Sequence, residues 1–312
     1  MFGKILKSEG FDSFKPFKNG ELSGGQHELK LNPTDTEGQI SIVSSEKYSF
    51  SKSDILTKLN LVGFDESILE YKCLEGDFKA TSFCFLNQAN DIYNPAILLD
   101  LKFISRIPAK GELEKIRLDS SELYSYENYY HKTRLQLLKD LAIRNSTILI
   151  DGPLFSGRST EYNFDMTKSH PSNEFVFFVK NSSSEQIINF LNEKKFNNDL
   201  HWAYQSLEVF QRSQIFSYTS QSRSKLFCYL KVANNYSPIR IETDANQKSY
   251  FLDNNFWANI ISNIIAQIPS NNIQPRIIAV AEKYAREGLK SSNIYKHLVK
   301  SGFIATMNEQ RF

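Results

Sequence analysis

The feature that most constrains this fold is a short apolar run placed between a helical pattern and a rigid turn. The run Thr147-Ile148-Leu149-Ile150 predicts a buried parallel strand, which ends abruptly at Asp151-Gly152-Pro153. The preceding stretch, from Ser121 to about Arg144, repeats leucines at three- and four-residue spacings and predicts an amphipathic helix. A helix, a buried strand and an acidic residue at the strand's carboxyl end are typical of an α/β active site.

Three segments before this helix predict an antiparallel meander. They cover Leu69–Leu74, Phe78–Leu86 and Ala96–Ile104, and turn-forming residues separate them. A meander followed by parallel strands predicts an α/β fold with a mixed sheet flanked by helices.

Further elements are expected along the rest of the chain. They are strands at Phe175–Lys180, Lys225–Val232 and Ile239–Glu242, and helices at Ser184–Lys194, Phe256–Ile268 and Pro275–Gly288. Residues 61–312 are expected to form the main domain. The polar residues 1–60 are expected to be an N-terminal extension and a candidate partner-binding arm, with a short strand at Gln39–Val43.

The composition excludes several classes of protein. A formal net charge of +2 is far from the strongly basic balance of a protein that coats nucleic acid, so DNA contacts require a local basic surface. The three cysteines lack metal-ligand spacing and are expected to be reduced core thiols. No apolar run approaches the length of a bilayer span, and a cytoplasmic protein is expected. Walker A, GxSxG and dinucleotide-binding motifs do not occur in the sequence.

Asp151 is the strongest single candidate for a catalytic residue. A carboxylate at the end of a buried strand, followed by Gly152-Pro153, is expected to face a crevice rather than the core. The alternative is a turn aspartate that hydrogen-bonds the local backbone. The local pattern leaves both interpretations open.

Several motifs in this order resemble the NurA nuclease family. They are Ile148–Leu154, the strand Phe177-Phe178-Val179-Lys180, the late strand Pro238-Ile239-Arg240-Ile241-Glu242, and Gln274-Pro275 with Ala281-Glu282. The resemblance extends from about Leu69 to Gly288. It implies an RNase H-like fold.

The resemblance also implies an activity and partners. Members of this family are metal-dependent DNases, usually dimeric, that work with a hexameric HerA-type ATPase in DNA end processing or defence against phage. Such a site needs carboxylates that hold two divalent ions about 3.5 to 4 Å apart. Hard oxygen ligands suit Mn²⁺ or Mg²⁺.

The family's site residues can be carried over to matching positions. Asp151 matches the strand aspartate, and Glu75-Gly76 falls at the first-strand Asp-Gly position, with Asp77 as an alternative ligand and Asp100 as a weaker candidate. On the last helix, Glu282 falls where members carry histidine and could ligate metal. The expected catalytic set is therefore Asp151, Glu75 and Glu282, and the expected metal ligands are Asp151, Glu75 and Asp77.

The sequence also departs from the family pattern. The helix glutamate falls near Arg134, for which Glu127 and Asp140 are candidate substitutes, and the family's tyrosine falls at Gln274. These departures support a second hypothesis, a catalytically degenerate subunit that binds DNA and the ATPase as a scaffold.

Basic and aromatic residues are the candidate binding elements. The expected phosphate contacts are Lys180, Arg240, Arg158 and Arg276, which would position DNA without reading its sequence. Phe11, Phe14 and Phe17 form a candidate docking element for the ATPase.

Overall fold

The computed structural model of the chain describes residues 38–50, 60–89, 92–120, 125–254, 256–257 and 275–304. The strands are β1 (Gln39–Ser44), β2 (Tyr48–Ser49), β3 (Leu61–Lys72), β4 (Asp77–Ala89), β5 (Ile92–Ser105), β6 (Arg117–Asp119), β7 (Thr147–Asp151), β8 (Glu174–Val179), β9 (Gln211–Arg212), β10 (Ile215–Ser220), β11 (Arg223–Lys231) and β12 (Ile239–Asp244). The helices are α1 (Glu112–Ile116), α2 (Ser125–Asp140), α3 (Thr160–Ser169), α4 (Gln186–Phe190), α5 (Asp199–Ser206), α6 (Lys248–Phe251), α7 (Arg276–Ser291) and α8 (Ile294–Lys300).

The strands form one mixed sheet, which confirms the predicted fold class. Within the described residues the sheet has 12 strands, in the order β1-β10-β11-β12-β8-β7-β3-β4-β5-β6, with β2 and β9 attached beside this path. The β3–β4–β5 meander is antiparallel. The pairs β3–β7 and β7–β8 are parallel. The apolar run at Thr147–Ile150 therefore lies at the centre of the sheet, as its composition predicted.

The meander begins earlier than its sequence pattern predicted. Strand β3 starts at Leu61 rather than Leu69, and its first four residues, Leu61 to Phe64, are all buried. They pair in parallel with β7, with Phe64 opposite Ile150. A strand covered on both faces shows no apolar–polar alternation, which is why no strand was predicted over this segment.

Two helical layers cover the sheet. Helix α7 packs on β3, β4 and β5, and this side of the sheet is called the α7 face. Its buried Ile277, Ala281 and Ala285 share a core cluster with Leu149 and Phe178. The opposite side, called the α2 face, is covered by α2 and α3, which contribute Leu138, Phe164 and Met166 to a second cluster.

The predicted N-terminal strand is present as β1. It pairs antiparallel with β10, with Gln39 opposite Thr219, and β2 pairs with β9. Residues 39–49 therefore belong to the same sheet as the later strands. Phe11, Phe14 and Phe17 lie outside the described residues.

The remaining predicted elements differ mainly in length. Helix α2 ends at Asp140 rather than near Arg144, and the helix expected at Ser184–Lys194 is reduced to α4. Helices α3 and α5 and strand β10 were not predicted. The helix expected at Phe256–Ile268 falls almost wholly outside the described residues. In the part of the chain that is described, no helix combines the length and apolar character needed to cross a bilayer.

Candidate active site

Asp151 lies at the carboxyl end of β7, where the chain leaves the sheet. Gly152 follows with a φ of 105°, a conformation that favours glycine, and its N–H donates to the Phe178 carbonyl oxygen at 2.8 Å. Leu149, two residues before Asp151, packs in the core of the α7 face. Because side chains alternate along a strand, Asp151 faces the same side.

Asp65 lies beside Asp151 on the neighbouring strand. Phe64 is opposite Ile150 in the parallel ladder, so the next residue of each strand is an aspartate. Gly63 contacts Ile277 of α7, which places Asp65, two residues further along β3, on the α7 face as well. The fold therefore brings two carboxylates together at the centre of the sheet.

The third carboxylate of this group is Glu282 on α7. This helix packs directly on β3, and the Glu282 side chain is partly exposed in an ion pair with Arg286 one helical turn later. Burial, followed by the negative charges of Asp151, Glu66 and Glu282, raises the pKa of Asp65 from 3.8 to about 7. Asp65 therefore sits within negative charge that its surroundings do not fully neutralise.

Lys180 forms an ion pair with Asp151. It follows β8, and its Nζ lies 2.6 Å from Asp151 Oδ2. Lys180 is thus placed at the carboxylates themselves, where it holds the orientation of Asp151. Its side chain is 30% exposed, which leaves the ammonium accessible to an anionic ligand.

The carboxylates of Asp65, Asp151 and Glu282 are the kind of ligand that a hard divalent cation prefers, although they are not close enough together to hold one as they stand. Carboxylate oxygens are the ligands that Mg²⁺ and Mn²⁺ prefer, and a cation would favour the ionised form of Asp65, whose pKa is raised by burial and by its carboxylate neighbours. Among the described residues, no three His, Cys, Asp or Glu side chains lie close enough together to hold a metal as they stand. Asp151 and Glu282 are instead held by Lys180 and Arg286.

Glu75 and Asp77 lie at the other end of the meander, which corrects their expected place beside Asp151. Glu75 lies in the β3–β4 turn and Asp77 is the first residue of β4. Glu75 Oε2 accepts a hydrogen bond from the Ile304 N–H at 3.3 Å. Seven strand residues separate Asp65 from Lys72 at the end of β3, roughly 23 Å at about 3.3 Å per residue. The β3 carboxylate that lies beside Asp151 is therefore Asp65 rather than Glu75.

The expected phosphate-binding residues are dispersed. Arg240 is only 4% exposed: its Nε lies 2.8 Å from Glu242 Oε1 and its Nη1 donates to Ser182 Oγ at 2.7 Å. This burial corrects its expected contact with DNA. Arg276 is exposed at the start of α7, and Arg158 lies in the turn Gly157–Ser159 with its side chain outside the described atoms.

The other candidate carboxylates do not join the group. Asp100 accepts a hydrogen bond from the Tyr129 hydroxyl at 3.3 Å, on the α2 face, and Asp140 accepts one from Gln136 at 2.7 Å at the exposed end of α2. Glu127 lies in the first turn of α2. Gln274 is outside the described residues.

The sequence matches the profile of the NurA domain over residues 134–287. This segment contains Asp151, Lys180 and Glu282. This segment, just under half of the 312-residue chain, is similar to the NurA domain. The matched segment therefore carries two of the three grouped carboxylates, and β3 adds the third from outside it.

The fold also resembles a solved NurA structure. The NurA nuclease from Sulfolobus solfataricus superposes with a TM-score of 0.53 at 12% identity, covering 85% of this chain and 88% of that one. Endonuclease V from Bacillus subtilis has a TM-score of 0.41 at 10% identity, over 83% of this chain and 89% of its own. Endonuclease V from Ciona intestinalis, solved with inosine-containing DNA, has a TM-score of 0.41 at 16% identity, over 76% of this chain and 88% of its own. The two endonuclease V structures superpose too loosely to support an argument. No curated protein matches the sequence.

Asp65 was missed although the sequence carries a signal for it. The run Leu61-Val62-Gly63-Phe64 followed by Asp65 repeats the pattern of Thr147–Ile150 followed by Asp151, a short apolar run that ends at a carboxylate. Two such runs predict neighbouring parallel strands with acidic carboxyl ends. This repeated pattern would have placed the first-strand carboxylate correctly.

Proposed function

We propose that this protein is a metal-dependent deoxyribonuclease of the NurA family whose site consists of Asp65, Asp151 and Glu282. The observation that supports this most is the parallel β3–β7 register, which places Asp65 and Asp151 side by side on one face. Burial first, and then the neighbouring carboxylates, raise the pKa of Asp65, and a bound cation would favour its ionised form. The substrate is DNA, at ends or in single strands, and the bond broken is a phosphodiester.

In this mechanism the chain's own residues bind the metal ions and orient the ligands and the phosphodiester. Asp65 and Asp151 would hold Mn²⁺ or Mg²⁺ from adjacent strands, and Glu282 would complete the set once it leaves Arg286. When bound, such ions stabilise the attacking water and the leaving oxygen of an in-line displacement. Lys180 keeps Asp151 oriented and places a positive charge where the phosphodiester would bind.

The test is cleavage of end-labelled linear DNA by the purified protein with Mn²⁺ or Mg²⁺. Asp65→Asn and Asp151→Asn should each reduce cleavage by at least about 100-fold, because each removes charge from the metal ligands while keeping the side-chain shape. Glu75→Gln is the matched control, a carboxylate on the same strand hairpin that lies far from the site, and it should cleave like the wild type. Full activity of Asp65→Asn would exclude the proposed site.

A second candidate function is a non-cleaving DNA-binding subunit. It is favoured by the ion pairs that hold Asp151 and Glu282 to Lys180 and Arg286, and by the lack of a preformed metal cluster among the described side chains. Absence of cleavage with both metals, together with retained DNA binding, would support this function.

We further propose that the protein acts with a HerA-type hexameric ATPase and as a homodimer, in DNA repair or in defence against phage. The support is the similarity to the NurA domain, because a single subunit of this kind carries no motor motif. The N-terminal residues Phe11, Phe14 and Phe17 remain the candidate docking element.

A further inference from the structure

The segment that follows Asp151 is held by buried polar side chains on the α2 face. Gly152 to Ser156 leave the sheet after Asp151 and fold over this face, where Leu154 is fully buried. The Leu154 N–H donates to Glu242 Oε2 at 2.8 Å. The path of this segment fixes where β7 ends and therefore where the Asp151 carboxylate lies.

Asn163 of α3 makes the second set of contacts to this segment. Its Nδ2 donates to the carbonyl oxygens of Leu154 at 3.0 Å and of Pro153 at 3.2 Å. The side chain is almost completely buried, so water does not compete for these bonds. A single amide thus holds two successive carbonyl groups just after the candidate metal ligand.

Arg134 of α2 fixes the orientation of the Asn163 amide. The Arg134 Nη2 donates to Asn163 Oδ1 at 2.6 Å, and a guanidinium only donates hydrogen bonds. The oxygen of the amide must therefore face Arg134, and its NH₂ group must face the carbonyl groups of the loop. Replacing the guanidinium by a neutral amide would let the Asn163 side chain rotate.

Arg134 also reaches the strand that carries Asp65. Its Nη1 lies 4.0 Å from Glu66 Oε2, and Glu66 directly follows Asp65 on β3. Because side chains alternate, Glu66 and Arg134 lie on the α2 face, whereas Asp65 and Asp151 lie on the α7 face. Arg134 therefore does not place its charge among the carboxylates, although it stands near the family's glutamate position.

We propose that Arg134 and Asn163 are positioning residues that hold the Asp151 segment in register with the Asp65 strand. Arg134 contacts β3 through its ion pair with Glu66. Asn163 contacts the segment after β7 through its hydrogen bonds to the Pro153 and Leu154 carbonyl oxygens. This pair gives the α2 helix a role in this chain through an ion pair with Glu66 and a buried hydrogen bond to Asn163 rather than through a metal ligand. The effect on cleavage rests on the proposed nuclease function.

The decisive variants are at Asn163. Asn163→Ala removes the bonds to the Pro153 and Leu154 carbonyl oxygens and a third bond, of 3.3 Å, to Ser156 Oγ. Asn163→Asp keeps the acceptor for Arg134 while replacing the donor group by a second oxygen. Tyr162→Phe is the matched control, since it removes a hydroxyl from the same α2–α3 interface, where Tyr162 bonds Asn128 and not the loop. Amide hydrogen exchange of peptides covering 151–157, urea unfolding, Mn²⁺ binding and the kinetics of cleavage are measured for each.

In both Asn163 variants the amide hydrogens of residues 151–157 should exchange at least about tenfold faster than in the wild type. The exchange rates of the other β7 and β8 amides should be unchanged. In the cleavage assay, kcat should fall by roughly 10- to 100-fold with KM within about twofold, because misplacing a catalytic group by about 1 Å costs this much. Tyr162→Phe should match the wild type. Should Asn163→Ala fail to fold, Asn163→Asp, which has nearly the same shape, provides the same readouts.

The outcomes separate this proposal from the proposed function. Unchanged exchange at 151–157 in a folded Asn163 variant overturns the positioning role, whatever the activity. A uniform rise in exchange across the sheet, matched by a lower urea midpoint, overturns it in favour of a general contribution to stability. If the wild type neither binds Mn²⁺ nor cleaves, the nuclease proposal fails, and faster local exchange in the variants still supports the positioning role.

Discussion

At the scale of single residues, charges in the interior are paired across strands. Glu242 is fully buried, and its carboxylate contacts Lys225 Nζ at 2.5 Å and Arg240 Nε at 2.8 Å. Burial alone would raise the pKa of Glu242, but these two cations hold it below its ordinary value. The pairing explains why an arginine within a strand is unavailable to DNA: its charge is needed to keep a carboxylate ionised in the core.

His131 gives a prediction for the pH dependence of stability. Burial and the neighbouring Arg134 lower the pKa of His131 from 6.5 to about 3. The unfolded chain therefore takes up a proton near pH 6.5 that the folded chain takes up only near pH 3. This contribution to the free energy of unfolding is complete above pH 6.5 and is lost as the pH falls toward 3, at most about 1.4 kcal/mol per pH unit.

The measurement is the urea unfolding free energy between pH 4 and 7 for the wild type and His131→Phe. The phenyl ring can still stack on Tyr162, whose ring lies 4.2 Å from His131, and it cannot take up a proton. We expect the unfolding free energy of His131→Phe to rise less steeply with pH than that of the wild type. The control His201→Gln, at a histidine outside this interface, should keep the wild-type slope. An unchanged slope in His131→Phe would contradict a neutral buried imidazole.

Residue by residue, the sequence named some members of the candidate site and did not name others. Asp151 and Glu282 were named, and the structure groups them with Asp65 through its charge interactions. Glu75 was named in place of Asp65 because no strand was predicted over the apolar run Leu61–Phe64 that precedes Asp65. Arg240 was expected at the surface because a positive charge in a strand has no visible partner until the fold places Glu242 beside it.

At the scale of elements, the close approach of β3 and α7 shapes the site. A Cβ atom at Gly63 would lie 2.6 Å from the Ile277 carbonyl oxygen and 2.9 Å from its carbonyl carbon. These are backbone atoms, which cannot rotate away. The absence of a side chain at Gly63 therefore sets the distance between the strand of Asp65 and the helix of Glu282.

Gly63→Ala should separate these two elements. We expect a loss of about 1–3 kcal/mol in the free energy of unfolding by urea, the usual cost of overpacking, and weaker Mn²⁺ binding. Gly288→Ala is the matched control at the same interface, because its Cβ would meet the Ser82 hydroxyl oxygen at 3.0 Å, and a side chain can adjust. Equal stability of the two variants would show that the backbone contact is not limiting.

At the scale of the whole molecule, binding depends on local surfaces and on partners. The net charge of +2 provides little general attraction to DNA, so a motor that delivers DNA would raise the rate of cleavage. The part of the chain before β1 is the candidate link to such a motor, while residues 39–49 belong to the sheet.

Removal of residues 1–37 tests this link. The shortened chain should keep its cleavage of linear DNA without ATPase, because the sheet from β1 onward is retained, and should lose most of the stimulation by the HerA-type ATPase. Light scattering on a sizing column gives the mass of each form alone and with the ATPase. Replacing Phe11, Phe14 and Phe17 by alanine in the full chain is the finer variant. Stimulation that survives both changes would place the docking surface elsewhere.

The sequence by itself determined the features whose causes are local. A buried central strand must be apolar throughout, and the turn after it needs Gly152, so the β7–Asp151 unit could be predicted from adjacent residues alone. The amphipathic patterns of α2 and α7 likewise predicted helices at these places.

Only the tertiary structure decided which distant residues meet. The pairing of β3 with β7 selected Asp65 as the neighbour of Asp151, and strand alternation put Arg134 and Glu66 on the opposite face from both aspartates. Register and facing depend on hydrogen bonds and packing between segments far apart in the chain, and one residue of register reverses the face of every side chain. The local sequence indicates which carboxylates are candidates, and the strand pairing of the sheet determines which of them lie close together.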